Sequence, residues 1–262
     1  MNDCKPLVIK IGGAILEKAD ALSALLKVIA SLKESSEQNQ VILVHGGGCV
    51  VDDMLAQAGF ITTKKHGLRV TPKAQIGLIS GALAGTVNKS IVATANTINL
   101  NAVGLSLADG QMIHCDKSTL DLAEVGDPTP KKSELLSLLL KAGFLPVISS
   151  IGALDNGDLV NVNADDAAVA ICQLLSAELL LLTDVNGVKG RDGEYLESLN
   201  SEQAQILINE GVIAGGMTAK VNAALRAAKQ LRRSIAVASW QSPEQITLLI
   251  EGKGVGTKIQ AN

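Results

Sequence analysis

The stretch Val41–Asp53, VILVHGGGCVVDD, constrains the fold more than any other part of the chain. Val41-Ile42-Leu43-Val44 is too short for a helix and has no polar alternation, which is the pattern of a strand buried on both faces of a parallel sheet. His45-Gly46-Gly47-Gly48 then makes the turn at its carboxyl end, before a helix through Met54 and Leu55 that runs to Gly59. Residues without a β-carbon let the backbone approach a ligand closely, and the N–H groups at a helix start favour an anion. Open α/β sheets bind ligands at this end of their strands. The glycine run alone is equally compatible with a tight turn that binds nothing. Three known motifs are excluded. Val51 stands where a dinucleotide fingerprint needs glycine, no Lys-Ser/Thr pair follows as in a Walker A loop, and no G-x-S-x-G elbow accompanies the HGGG.

A chain of 262 residues is long enough for one large α/β domain or two fused lobes. Its apolar content, 47% of residues against 19% charged, comes from Ala, Leu, Val and Ile rather than aromatics, which suits parallel strands and packed helices. Net charge is −3 and no basic cluster exceeds Lys64-Lys65 or Arg232-Arg233, so no nucleic-acid partner is expected. Uninterrupted apolar runs such as Leu179–Leu182 fall far below the ~20 residues of a membrane span, and MNDCKPLVIK has no apolar signal region. The expectation is a cytoplasmic protein without a membrane partner. Cys4, Cys49, Cys115 and Cys172 are scattered without a C-x-x-C pair, against both a zinc site and a disulfide framework.

Leu7–Ile11 reads as a strand ended by Gly12-Gly13. Lys10 inside it is costly unless its ammonium reaches the rim or an anionic site; the two following glycines favour the site. Ala21–Leu32 has helical spacing. Gly67 suggests a hairpin across Ile61–Val70, where Arg69, between Leu68 and Val70, is the least solvated base beside Lys64, Lys65 and His66 and a candidate for a bidentate carboxylate contact. Thr71-Pro72 reads as N-cap and first position of a helix to about Ile98, whose Gly77, Gly81, Ala82, Ala84 and Gly85 permit close packing, including across a subunit interface. Ala102–Leu107 and Met112–Cys115 read as a hairpin around Asp109-Gly110, and Asn156-Gly157 marks another. Leu135–Lys141 is a helix and Phe144–Ile148 a buried strand. Asn161-Val162-Asn163-Ala164-Asp165-Asp166 precedes an apolar helix. One cap would suffice there, so the surplus polar side chains suggest a site. Glu178–Thr183 is a strand ending in Asp184-Val185-Asn186-Gly187. Asn200-Ser201 starts a helix to Gly211, and Gly215-Gly216 precedes a longer one through Lys229. Side chains lean toward a helix N-terminus, so Lys220 points back at the N–H groups near Gly215, a conflict an anion between them would remove. Ile235–Ala238, Pro243–Ile250 and Gly256–Ile259 read as strand, helix and last edge strand.

In this order, Lys10-Ile11-Gly12-Gly13, His45-Gly46-Gly47-Gly48, Gly67-Leu68-Arg69-Val70-Thr71, Asn161-Val162-Asn163-Ala164-Asp165, Thr183-Asp184-Val185-Asn186-Gly187 and Gly215-Gly216-Met217-x-x-Lys220 resemble the amino-acid kinase family over essentially the whole chain. Within it the chain is similar to the bacterial branch whose acceptor is N-acetyl-L-glutamate. The resemblance implies the carbamate kinase-like fold, a three-layer αβα sandwich with a mainly parallel central sheet. It also implies an acceptor and dimerisation lobe over 1–176 and a nucleotide lobe over 177–262. Lys10 and Lys220 resemble the transition-state lysines and Asp165 the carboxylate that orients them. Gly13, Gly47 and Gly48 resemble backbone-amide donors, and Arg69 and Asn161 the acceptor-binding pair. Asp184, Val185, Asn186, Gly187, Val188 and Lys189, with Val212, Ile213 and Ala214, resemble the nucleotide pocket. Gly215 stands where relatives often have Asp. The implied cosubstrate is ATP with Mg2+ carried on it, with no metal site of the protein's own. The implied assembly is a homodimer, expected to be insensitive to arginine because the first strand begins almost at the N-terminus.

Phosphoryl transfer to a carboxylate brings two anions together, so positioning and charge neutralisation dominate. The acceptor is already ionised at neutral pH and needs no general base, which leaves His45 structural. A free α-ammonium on the acceptor would call for a carboxylate, and the segment around Arg69 offers Lys64, Lys65 and His66 but no acid; this favours an acetylated nitrogen. The alternatives are a sister kinase acting on free glutamate or a nucleoside monophosphate, and a non-catalytic anion binder.

Overall fold

The computed structural model describes residues 5–36, 38–65, 67–250, 253 and 256–261, and the side chains among them apart from 249 and 250. Cys4 and His66 lie outside the described residues. In chain order the first elements are β1 (Leu7–Ile11), α1 (Gly13–Leu16), α2 (Ala19–Ser35), β2 (Val41–His45), α3 (Gly48–Gln57), β3 (Thr63–Lys65) and β4 (Leu68–Val70). One continuous helix follows, made of α4 (Lys73–Ser80), a π-helical turn (Gly81–Val87) and α5 (Asn88–Asn96). Next come β5 (Ala102–Ser106), β6 (Ile113–Lys117), β7 (Gly126–Pro130), α6 (Glu134–Lys141), β8 (Leu145–Ser149), β9 (Ile151–Ala153), β10 (Leu159–Asn161) and α7 (Ala164–Leu175). The chain closes with β11 (Glu178–Thr183), β12 (Ser198–Leu199), α8 (Ser201–Asn209), α9 (Gly216–Leu231), β13 (Ile235–Ser239), α10 (Gln245–Ile250) and β14 (Thr257–Ile259).

Eight strands form one sheet in the order β12-β14-β13-β11-β1-β2-β8-β5. Every pairing is parallel except β13 with β14. The central strands are apolar on both faces because helices cover both. Leu7, Ile9, Val41, Leu43 and Val147 pack toward α2 and α5, while Val8, Ile42, Val44 and Ile148 pack toward α6, α7 and α9. In α2, Leu22, Leu25, Leu26, Ile29 and Leu32 recur at helical spacing and are its buried residues. The result is the expected αβα sandwich. One sheet spans both halves of the chain, and the left-handed Ser176 that ends α7 (φ 53°) turns it into β11.

Several expectations are corrected. Thr71 is not a helix cap: it is fully buried, bridges Ala123, and its hydroxyl accepts from Asn161, while Pro72 takes the cap position. Ala102–Ser106 and Ile113–Lys117 are not a hairpin. The Asp109 carboxylate accepts from the Ser106 N–H at 2.6 Å and turns the chain out of the main sheet, so β6 pairs instead with β7, whose Pro128 and Pro130 hid it from the sequence reading. Gly256–Ile259 is not an edge either: β14 lies between β13 and β12. Finally, Lys73–Asn96 is long and apolar enough, by length and composition alone, to cross a bilayer, which a count of uninterrupted apolar runs missed. Its Ile79, Ala82, Leu83, Val87, Ile91 and Ala95 are packed into the protein.

Candidate functional site

Parallel pairing sets β1, β2 and β11 side by side, so Lys10, the Gly12-Gly13 turn, the Gly46–Gly48 turn and Asp184 converge at one edge of the sheet. Lys10 lies on the α7 face, and its ammonium meets Asp165 Oδ1 at 2.8 Å, with the two side chains 17% and 25% exposed. The buried-lysine problem of the sequence is thus solved by an acid from the first turn of α7. Asn163 is the actual cap of that helix, accepting from the N–H groups of Asp165 and Asp166. Asp165 is therefore free of capping duty, as the surplus of polar residues suggested. Across the cleft, Lys220 from the second turn of α9 is paired with Asp184 at the end of β11. That hydrogen bond chiefly, with the ammonium charge, holds the Asp184 carboxyl below its ordinary range. The resemblance implied one carboxylate, Asp165, for both lysines; the structure pairs Asp165 with Lys10 and Lys220 with Asp184. Lys10, Gly13, Asp165, Asp184, Lys220 and Trp240 line one cavity of about 200 Å3.

A second cavity of about 270 Å3 is lined by Gly46, Gly47, Gly48, Arg69, Asn161 and Asn163 among others. The two meet where Gly13 abuts Gly48; a Cβ on Gly13 would sit 2.9 Å from Cys49 Sγ and 3.4 Å from the Gly48 nitrogen. Arg69 is only 9% exposed, as its apolar neighbours predicted, and its guanidinium is already engaged. It donates to Asp52 at 2.6 Å, Thr62 at 3.1 Å and the Gly48 carbonyl at 3.2 Å. Burial works to raise the Asp52 carboxyl, but bonds from Arg69 and Thr62 and the charges of Arg69 and Lys64 outweigh it and lower the pKa. Asp127 and Asp166 also line this cavity; burial chiefly, then the neighbouring Asp165 and Asp127 charges, raises Asp166. The sequence argument that no acid stands near Arg69 is therefore overturned. Asp52 lies 17 residues before it and Asp127 and Asp166 far beyond it, so only folding brings them together.

Of the residues matched to a nucleotide pocket, Asp184 alone lines the lysine cavity. Val188 and Ile213 are 1% and 2% exposed, backbone included, so neither offers surface to a ligand. The Val188 N–H is already given to Thr257 Oγ1 at 2.8 Å, and Lys189 lies over the Tyr195 ring at 5.4 Å. Val212 and Ala214 are exposed before Gly215, whose φ of 57° suits glycine and turns the chain into α9. Asn186 is exposed, while Val185 accepts from and donates to the Thr183 hydroxyl. Sequence reasoning did not single out Asp52, Asp127 or Trp240, and it had Asp166 only as part of the polar stretch Asn161–Asp166. Asp52 carried a weak signal, one helical turn beyond the glycine run, but next to Asp53 it reads as a solvated face.

A model of the amino acid kinase family matches residues 5–239. The chain belongs to the amino acid kinase family. This kinase is 78% identical over 258 residues to a protein named acetylglutamate kinase from Colwellia psychrerythraea, covering 98% of each chain. It superposes on the smu.665 protein of Streptococcus mutans with a TM-score of 0.77 at 28% identity over 100% of both chains. A carbamate kinase from Giardia shares the fold at a TM-score of 0.61 and 17% identity, covering 98% of this chain and 99% of that one.

Proposed function

We propose that the chain is a phosphotransferase that moves the γ-phosphoryl group of ATP to the γ-carboxylate of N-acetyl-L-glutamate, giving N-acetyl-L-glutamyl 5-phosphate and ADP, the second step of arginine biosynthesis. The observation that carries the acceptor is the near-full-length identity to a protein named for that reaction. The side-chain argument for an acetylated nitrogen no longer does, since acids line the acceptor cavity. Two anions must meet in the cleft, and the side chains there fit that task. Lys10 and Lys220 face one cavity and supply positive charge to the transferring group, Asp165 orients Lys10, and the glycine turns offer amides where a side chain would block approach. No histidine is needed to deprotonate an ionised carboxylate.

The cleft suits an acceptor in the Arg69 and Asn161 cavity, formed wholly by residues before 176, and a nucleotide over the later segments Asp184–Lys189 and Val212–Ala214. That division gives the acceptor lobe 1–176 and the nucleotide lobe 177–262. The carboxylates of Asp165 and Asp184 are held by lysines, and in this reading Mg2+ arrives on ATP, where it would neutralise phosphate oxygens. A cytoplasmic homodimer follows from the same family reading, with the small-residue face of Lys73–Asn96 and the half-buried edge strand β5 as the surface offered to a second copy. Light scattering giving a two-chain mass supports it; a monomer rejects it.

The decisive experiment measures ADP release with N-acetyl-L-glutamate, free L-glutamate and nucleoside monophosphates, with hydroxylamine trapping of an acyl phosphate. Trapped product and the highest kcat/KM with N-acetyl-L-glutamate are expected. Equal or better use of another acceptor assigns the chain to a sister activity, and no turnover with any leaves an anion binder.

A further inference from the structure

His45 is unused by the chemistry above, yet it is fully buried directly before the glycine turn that lines the Arg69 cavity. Its ring sits between two fixed partners. Nδ1 lies 2.8 Å from the carbonyl of Gly46, which can only accept, so Nδ1 carries the proton. Nε2 is then the acceptor for Asn88 Nδ2 at 3.0 Å. Asn88 is itself fully buried and its amide orientation is settled by its other partners: the second Nδ2 hydrogen goes to the carbonyl of Val147 at 2.9 Å, with that of Leu105 at 3.3 Å close enough only to share a hydrogen, while Oδ1 accepts from Lys89 at 3.1 Å. One asparagine thus ties strands β2, β8 and β5 together and fixes the imidazole tautomer.

The carbonyl this ring holds belongs to the turn at the site. Gly46 C=O and Gly47 N–H are the two ends of a single planar trans peptide. Anchoring the oxygen on the buried ring points the Gly47 N–H the opposite way, and Gly47 lines the acceptor cavity. The turn is walled on both sides. A Cβ on Gly46 would meet Ala164 at 3.3 Å, and one on Gly47 would meet Leu83 and Val87 at 3.0 Å. Leu83 and Val87 belong to the π-helical turn, and Asn88 follows it directly. A wider helical turn of this kind is common beside functional sites, and here the same segment presents both the wall against Gly47 and the donor to His45.

We propose that His45 and Asn88 are positioning residues: through the Gly46 carbonyl they aim the Gly47 amide at the oxygen of the acceptor or of the transferring phosphoryl group. The proposal deepens the kinase reading and rests on it for the identity of that oxygen. Two substitutions separate positioning from core filling. His45→Asn keeps a donor near the Nδ1 position and can still hold the Gly46 carbonyl. His45→Gln keeps an acceptor near Nε2 for Asn88 but releases the carbonyl. Steady-state kinetics with ATP and N-acetyl-L-glutamate, together with amide hydrogen exchange over 41–53, are measured on both. His45→Gln is expected to lose on the order of tenfold to a hundredfold in kcat, with faster exchange at Gly46–Gly48, and His45→Asn to recover most of both. Equal kcat in the two variants, or losses confined to melting temperature, would overturn the proposal. If His45→Gln does not fold, Asn88→Ala replaces it: unchanged kcat and exchange there overturn the proposal equally. If the wild type turns over no acceptor, the kinase reading fails by itself, and the exchange comparison still decides whether His45 orders the turn.

Discussion

The charges in the cleft are organised as pairs, and each pair makes a separable prediction. Lys10→Ala and Lys220→Ala each remove a positive charge from the phosphoryl cavity and are expected to lower kcat on the order of a hundredfold or more while the fold persists. Asp165→Asn is expected to fall the same way. Asn163 caps α7, so helix stability is not at stake and only the orientation of Lys10 is lost. Near-normal turnover in any of the three rejects that residue's role. Asp52 acts one step removed, by holding the Arg69 fork. A clamp with its arginine buried and its carboxylate about a third exposed is worth about 1 kcal/mol, so Asp52→Asn is expected to raise the acceptor KM roughly fivefold with kcat little changed; an unchanged KM would show that Arg69 is held without it. His45 carries a pH signature. Burial, chiefly, lowers its pKa from 6.5 to about 4. Its folded pKa is depressed, so its contribution is full above pH 6.5 and is withdrawn as pH falls toward 4, amounting to about 3 kcal/mol. Denaturant unfolding at pH 7 and pH 4 checks this: the wild type should lose more stability than His45→Asn, which has no ring to protonate, and parallel losses would contradict it.

The elements meet at points where one side chain occupies the space another residue has given up. Gly104 on β5 is such a point. A Cβ there would stand 1.9 Å from Asn88 Oδ1, and the position is glycine because α5 plugs its amide into the strand edge. Gly104→Ala is expected to destabilise by about 1–3 kcal/mol, the range for overpacking a tight core. In the Asn88→Ala background only the flexible Lys89 ammonium, 2.5 Å away, still crowds the new methyl, so the two costs should be less than additive; strict additivity in a thermal or denaturant cycle would refute the contact. The hairpin of β3 and β4, turned at Gly67 with φ 81°, works at the same scale by laying Arg69 over the carbonyl of Gly48.

Across the whole molecule, the walls of the two cavities touch at Gly13 and Gly48, and Trp240 stands in the lysine cavity with Lys18 at 5.0 Å from its ring. Trp240 is the chain's single tryptophan. Its emission is therefore a direct report on occupation of that cavity. ADP with Mg2+ is expected to change it and N-acetyl-L-glutamate alone to change it much less; an emission indifferent to nucleotide would place the phosphates elsewhere.

Most of the helices and main-sheet strands were legible in the sequence, while β7, the pairing of β6 and the place of β14 were not. Short apolar runs such as Val41–Val44 and Leu179–Leu182 read as strands buried on both faces, and glycine or asparagine turns mark where they end. Lys10 before the first glycine turn, Gly13 and Gly47 at the turns, and Asp165 and Lys220 in the opening turns of helices that follow polar or glycine loops could be read there, because ligands meet a parallel sheet at its carboxyl edge. What the sequence left open was partnership. That Lys220 rests on Asp184, that Arg69 is clamped by Asp52, that Asp127 and Asp166 face the acceptor cavity, and that β6 leaves Ala102–Ser106 for β7 are decided by which helix and strand come to lie together. Spacing and composition encode the local period of a segment. An ion pair or hydrogen bond between residues far apart in the chain exists only once the packed sheet has fixed their distance.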